Sequence, residues 1–264
     1  MKHTIHSVYR TFLLVLVGIL FLGFSSARAN TILLNFLLDN INSDFIGGSA
    51  IGQDTTTGHT LSNAWWNNII VAQPPSTSLV DSTDTSTGIT LTLSGSFTGN
   101  RSNANAGYSG SNPALTGVYP AASYLDEFFL NAASSGTITL SGLNPSTTYN
   151  FTFLSARGNG QTAAGRIGDF TFSGANTVQV LGVDAITSDG FGNSTLQHAN
   201  GVVPTAGGTI TILDSSANAT QSFGGYLNFL QVDSVPEPSS VALLMLGGLG
   251  LWVMVIRRRQ LARI

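Results

Sequence analysis

Between residues 30 and 233 the chain holds two histidines, His59 in Thr-Gly-His-Thr and His198 in Leu-Gln-His-Ala. Any Ser-His-Asp relay there must use one of them. No Gly-x-Ser-x-Gly elbow accompanies either, and each reads as a solvated loop side chain. Asp126 and Glu127 are adjacent acids, but neighbours on a strand point to opposite faces and do not flank one glycosidic bond as a pair. No two-histidine zinc spacing is present. With no cysteine, disulfides, thiolate metal sites and a cysteine nucleophile are excluded. The expectation is a protein without catalytic residues. Binding chemistry is better represented. Trp65 and Trp66 stand among Asn63, Asn67 and Asn68; an exposed indole face stacks on the apolar face of a pyranose, and the amides with Asp81 supply hydrogen bonds. The competing reading puts one indole in the core and the other on its rim, because tryptophan is highly buried on average. Arg157 and Arg166 are scarce cations near strand ends, placed to pair with Asp169 or Asp126 or to hold an acidic sugar group. Asp39, Asp44 and Asp54, in a Gly-rich stretch, are candidate ligands for a structural Ca2+, a hard cation that takes oxygen donors. No EF-hand spacing supports them, and no other cofactor is expected.

These side chains need a scaffold, and the pattern supplies strands. Ile89 to Leu93, Thr137 to Leu140 and Thr209 to Leu213 alternate apolar with polar residues, while Tyr149 to Phe153 and Phe170 to Phe172 alternate aromatic with polar. Thr31–Leu37, Tyr124–Leu130, Val178–Leu181 and Tyr226–Val232 are further strand candidates, rich in the residues a half-buried pleated surface favours. Ser-Gly and Gly-Gly pairs separate them. About nine antiparallel strands and no amphipathic helix predict an all-β, two-sheet antiparallel sandwich, most simply a jelly roll. Thr98 to Gly117 and Asp39 to Gly58, poor in apolar anchors, are expected to be long loops.

Charge narrows the partners. Residues 30–233 carry three basic residues (Arg101, Arg157, Arg166) and twelve acids, a net −9. Phosphate neutralisation needs clustered Lys or Arg, so nucleic acid is excluded as a partner.

The two ends of the chain read as addresses. Val235-Pro236-Glu237-Pro238-Ser239-Ser240 contains two prolines that lack N–H donors and keep the preceding residue out of helix, so this stretch should be extended and accessible. An apolar run from Ser239 to Ile256 follows, roughly 27 Å long as a helix and close to the thickness of bilayer hydrocarbon. Arg257, Arg258, Arg259 and Arg263 then supply a stop-transfer charge. In this order the segments resemble the PEP-CTERM sorting signal of Gram-negative bacteria. The resemblance implies recognition by the membrane enzyme exosortase and cleavage near Glu237. At the other end Lys2 and Arg10 precede an apolar stretch from Thr11 to Phe24, and Ala27-Arg28-Ala29 before Asn30 fits a small-x-small signal-peptidase site. The expected organisation is a signal peptide over 1–29, an exported β-sandwich over 30–233 and a sorting signal over 234–264, with a transmembrane helix over 239–256. Export through the Sec translocon would give an inner-membrane-anchored precursor, then a protein of the cell surface or extracellular matrix.

Within the sandwich, Leu143-Asn144-Pro145-Ser146-Thr147-Thr148-Tyr149 resembles the tyrosine corner of Greek-key sandwiches, in which a tyrosine hydroxyl ties back to upstream backbone. With Trp66 to Ile69, Phe153 to Arg157 and Tyr226 to Asn228, it is similar to galactose-binding-like jelly rolls of exported bacterial proteins. That resemblance implies a carbohydrate-facing fold. The expected function is a non-catalytic module that binds or organises exopolysaccharide. The alternatives are a secreted carbohydrate-active hydrolase and a surface-layer or adhesive structural protein.

Overall fold

A computed structural model describes residues 30–37, 51–53, 64–70, 76–100, 115, 118–120, 122–125, 127–158, 165–186, 194–217, 223–235 and 248. The signal-peptide residues Ala27 and Ala29, the sorting-signal residues Pro236, Glu237, Pro238, Arg257, Arg258, Arg259 and Arg263, and Asp39, Asp44, Asp54 and His59 lie outside them. Among the described residues no helix is long and apolar enough to cross a membrane.

Residues Asn30–Val235 form one compact unit. Its strands are β1 (Thr31–Leu37), β2 (Ile51–Gln53), β3 (Trp65–Ile70), β4 (Thr77–Val80), β5 (Ser86–Gly95), β6 (Phe97–Asn100), β7 (Glu127–Asn131) and β8 (Ser135–Ser141). They continue as β9 (Thr148–Leu154), β10 (Ile167–Ser173), β11 (Thr177–Asp184), β12 (Gln197–Val202), β13 (Thr209–Ser216), β14 (Phe223–Leu227) and β15 (Phe229–Val235). One sheet, A, runs β12-β9-β15-β1-β3-β2; a second, B, runs β11-β10-β13-β8-β5-β4; a third, C, is β14-β7-β6. The chain is an antiparallel β-sandwich, with one exception in the pairing: β1 and β3 run parallel.

Period-two alternation places the core between sheets A and B. Ile32, Leu34 and Phe36 of β1, and Phe151 and Phe153 of β9, face Ile138 and Leu140 of β8, Phe170 and Phe172 of β10, and Ile210 and Ile212 of β13. Phe151 meets Phe172 at 4.9 Å and Phe153 meets Phe170 at 4.7 Å between ring centroids, linking the two sheets by tilted aromatic pairs. Each such ring contributes about 1.5–3 kcal/mol through burial, and the paired geometry adds to that. The opposite face of sheet B is hydroxylic. Thr92, Thr139, Thr211, Ser173 and Thr177 stand in one rank across β5, β8, β13, β10 and β11. Hydroxyls predominate on this face, which also carries Asp169 of β10.

A smaller core lies on the outer side of sheet A, where Leu33, Trp66, Leu154 and Phe229 are covered by Leu115, Tyr119 and Tyr124. Sheet C reaches the main core through Phe128, whose ring lies 4.9 Å from Phe36 and 5.6 Å from Phe97. A Cβ on Gly136 would collide with the Phe97 ring, so glycine there lets β6 seat its phenylalanine against β8.

Several expectations need correction. Tyr124 to Leu130 is not one strand: Ala122–Leu125 is a single helical turn, α1, and β7 begins at Glu127. Tyr226 to Val232 divides at Asn228, whose backbone N–H donates to Leu154 and whose carbonyl accepts from Phe36, so the chain changes sheets there. Both expected loops contain strands, β2 within 39–58 and β6 at the start of 98–117. Neighbouring strands supply these short pairings, against β3 and β7 respectively, and no local propensity announces them. β15 runs through Ser234 and Val235, paired with Tyr149 and Thr148, so the strand enters the segment read as the start of the sorting signal. The tyrosine corner forms as read, with the Asn144 N–H donating to Tyr149 Oη at 3.1 Å and Leu143 buried beneath it.

Candidate functional site

The residues first selected for sugar contact are mostly structural. Trp66 is fully buried, edge-on to Tyr119 and Phe229 at 6.5 and 6.3 Å, and offers no face to a ligand. Asn67 is buried as a clip between sheets: its amide donates to Leu33 O and Val80 O, and its carbonyl accepts the Val80 N–H at 2.9 Å. Asn68 Oδ1 accepts from Asn35 Nδ2 at 2.9 Å, also in the interior. The local string of tryptophans and asparagines looked polar because the cover provided by Leu115, Tyr119 and Tyr124 comes from far along the sequence. Trp65 is only partly buried and sits at the rim, paired with Gln53 of β2. Asp81 closes the β4–β5 turn, accepting from the Thr83 N–H and hydroxyl and from the Thr85 N–H. Burial pushes its carboxyl up, but these hydrogen bonds outweigh that and hold it below the ordinary carboxylate value. His198 is exposed on β12 and shares a 3.1 Å hydrogen bond with Thr152 of β9.

The two described arginines of residues 30–233 do converge with aromatic residues. Arg157 follows β9 and Arg166 precedes β10. The Arg157 N–H donates to Ala185 O at 2.7 Å, and the Ala185 N–H donates to Arg166 O at 3.2 Å, so the ends of β9, β10 and β11 are laced together. Arg157 pairs with Glu127, the first residue of β7, rather than with Asp169; the other expected partner, Asp126, lies outside the described residues. Glu127 is wholly buried and the Arg157 side chain 16% exposed. The physical cause is topological: sheet C carries Glu127 into the interior beside the end of β9.

Arg166 Nη1 donates to the Tyr226 hydroxyl of β14. Its guanidinium carbon lies 5.6 Å from the ring centroids of both Phe223 and Tyr226. Phe129 of β7 completes the group, stacked on Tyr226 at 5.8 Å and edge-on to Phe223 at 5.2 Å. Phe129, Phe223 and Arg166 are partly exposed, whereas Tyr226 is buried. Burial pushes the Tyr226 phenol up, Arg166 pulls it back, and Glu127 and Arg157 act in opposite senses. The cluster therefore gathers two partly exposed aromatic rings and a partly exposed cation, backed by a buried ion pair. Such a surface can stack on a ring and donate charge-assisted hydrogen bonds.

Asn228 anchors this end. Its Oδ1 accepts the Ala156 N–H at 2.7 Å, and its amide donates to Ala156 O and Tyr124 O. The segments Phe153 to Arg157 and Tyr226 to Asn228, grouped in the sequence reading, are thus brought together. Phe129 and Phe223 were missed; the aromatic pair at Phe128-Phe129 read only as strand.

Comparison with curated proteins gave no match. Among solved structures the chain is similar to a family 35 carbohydrate binding module from Clostridium thermocellum, at 21% identity over 54% of this chain and 90% of that one, with a TM-score of 0.32. It is similar to the ANXUR1 extracellular domain from Arabidopsis thaliana at 14% identity, covering 79% of this chain and 50% of that one, with a TM-score of 0.45. A third is TmCBM61 in complex with β-1,4-galactotriose, at 14% identity, covering 56% and 88%, with a TM-score of 0.28. At such scores no ligand or activity transfers. The PEP-CTERM protein-sorting motif matches over residues 234–259, which implies export and processing at the membrane by an exosortase. Whatever its sandwich contacts, this chain carries a PEP-CTERM sorting motif.

Proposed function

We propose that this is an exosortase-sorted protein of the cell surface or extracellular matrix whose sandwich is a non-catalytic module contacting exopolysaccharide. The surface formed by Phe129, Phe223 and Arg166 is its contact. The observation that carries the reading is the Arg166 guanidinium at 5.6 Å from two aromatic rings in a domain with three basic residues. A pyranose stacks its apolar face on Phe223 or Phe129 while Arg166 donates to ring or hydroxyl oxygens. The net charge of −9 over residues 30–233 repels polyanions, so the glycan expected is predominantly uncharged.

Binding of the purified full chain to immobilised neutral and acidic exopolysaccharides tests this. Phe223→Ala and Phe129→Ala should each weaken retention at least about tenfold, a loss of about 1.4 kcal/mol, with no reducing sugar released by any form. Retention unchanged in both variants removes the assignment of the surface. Release of reducing sugar that vanishes in His198→Ala replaces the module with a hydrolase.

A further inference from the structure

The inward face of β13 ends in an ionisable residue where its apolar run would continue. Ile210 and Ile212 pack in the core, and the next two inward positions are Asp214 and Ser216. Asp214 is completely buried. Neither of its carboxyl oxygens has a hydrogen-bond partner among the described residues. Its neighbours across the sheet are Gly136 of β8 and Phe170 of β10, whose side chains offer it neither a donor nor a charge. Against it lies the Gly224-Gly225 segment of β14. A Cβ on Gly225, which has φ +58, would strike Asp214 Oδ1 and come within 2.8 Å of a Leu130 methyl; one on Gly224 would strike Ser216 Oγ. Glycine at both positions is what lets this segment close on the end of β13.

The same segment is a point of slack in sheet C. Gly224 faces Leu130 and Leu227 faces Phe128, so Gly225 and Tyr226 together oppose Phe129. Such a bulge interrupts the ladder and lets the strand bend. Phe223 and Tyr226, at either end of the two glycines, are the rings over which the Arg166 guanidinium lies. A neutral carboxyl is tolerated in an enclosed apolar place far better than an anion, whose desolvation is the larger cost. Burial first, and then the charge of Asp169 on β10, push the Asp214 carboxyl well above the ordinary carboxylate value. The remaining titratable groups of the strands packed here are engaged elsewhere, Tyr226 of β14 with Arg166 and Glu127 of β7 with Arg157, and β8 carries none. An Asp214 anion therefore gains solvation from water, which reaches it when the two glycines move away.

We propose that Asp214 is a proton-operated latch on sheet C: with its proton it lets the Gly224-Gly225 segment close on β13, and without it that segment lifts and draws Phe223 and Tyr226 away from Arg166. The consequence for sugar rests on the surface proposed above, which is dismantled as pH rises. Closure is at full strength below the ordinary carboxylate value of 3.8 and weakens as pH rises toward the value of the closed form. One proton separates the two forms, so the closing equilibrium falls about tenfold per pH unit in that range.

Amide hydrogen exchange of the full chain, purified in detergent, tests this between about pH 5 and 8. After correction for the intrinsic rise in exchange rate, protection of β14 should fall about tenfold per pH unit while β1, β9 and β13 stay protected. Asp214→Asn, which keeps the shape and cannot ionise, should abolish the slope. Ser216→Ala, which alters a non-titrating group under the same segment, should keep it, and this variant with the unmodified chain decides the matter if Asp214→Asn does not fold. The readout uses no glycan, so its failure is separate from failure of the sugar contact. Protection of β14 that is independent of pH in the unmodified chain, a slope that survives in Asp214→Asn or disappears in Ser216→Ala, or a loss shared equally by all strands overturns the proposal.

Discussion

Arg157 donates from Nη1 to Glu127 Oε1, joining the end of β9 to the first residue of β7, with the glutamate entirely enclosed. Arg166 makes a second polar tie to sheet C, through the Tyr226 hydroxyl of β14, beside the apolar contacts of Phe128. Removing one partner of the Arg157–Glu127 pair leaves a charge without compensation. Glu127→Ala should cost about 3–5 kcal/mol in urea unfolding, and Arg157→Ala a similar amount. The double change Glu127→Leu with Arg157→Met should recover most of that loss, since neither charge then remains to be desolvated. A double variant as unstable as either single one would show that the pair serves packing more than charge.

The tyrosine corner gives a smaller and cleaner number. Tyr149→Phe deletes the acceptor for the Asn144 N–H and leaves the ring in place. Asn144 is exposed, so water takes over part of the bond, and the loss should be about 0.5–1.5 kcal/mol by equilibrium denaturation. Tyr149→Ala, which also empties a core position, should cost about 3–5 kcal/mol.

That corner was legible because its donor and acceptor lie five residues apart, within one turn and the strand after it. The main strands were legible for the same reason: their alternation is local. The candidate sugar residues were not. Trp66, Asn67 and Asn68 acquire their burial from Val80 and from Tyr119 and Phe229, all later in the sequence and the last two far later. β2, β6 and β12 exist through their neighbours' edges. The burial of Asp214 and Ser216 at the end of β13 was equally hidden, since nothing local to that strand announces it.

Tryptophan substitution separates the two indoles. Trp66→Ala removes a wholly buried ring from the smaller core and should destabilise by about 3–5 kcal/mol. Trp65→Ala, at the rim, should cost less than half of that. Trp66 fluorescence should be blue-shifted and poorly quenched by iodide, and Trp65 quenched more readily, in variants where Trp252 and the other of the pair are replaced by Phe.

Asp81 sets an acid limit on the β4–β5 turn. Its folded pKa lies below the ordinary 3.8, because hydrogen bonds from Thr83 and Thr85 outweigh the opposing effect of burial. The sign follows: the stabilisation is fully present above 3.8, where both folded and unfolded forms are ionised, and is lost as pH falls through the folded value. The stability difference between the unmodified protein and Asp81→Asn should therefore be constant from neutral pH to about 5 and shrink below about 4. A difference that grows on acidification would place the shift in the other direction.

Processing makes the final prediction, and it bears on the place where sandwich and sorting motif meet. Val235 is the last residue of β15, paired with Thr148, and Pro236 follows without an N–H to extend the ladder. The first residue of the Val-Pro-Glu-Pro segment is therefore part of the folded sheet. Mass spectrometry of protein recovered from cells and from medium should find an N-terminus near Asn30 and, on released material, loss of Arg257, Arg258 and Arg259. Released protein that retains all three arginines would remove exosortase from the account. Inserting a Gly-Ser spacer between Val235 and Pro236 should speed loss of the arginine-bearing end if pairing of Val235 with Thr148 restrains access to Glu237, and leave it unchanged if cleavage begins beyond the reach of that strand.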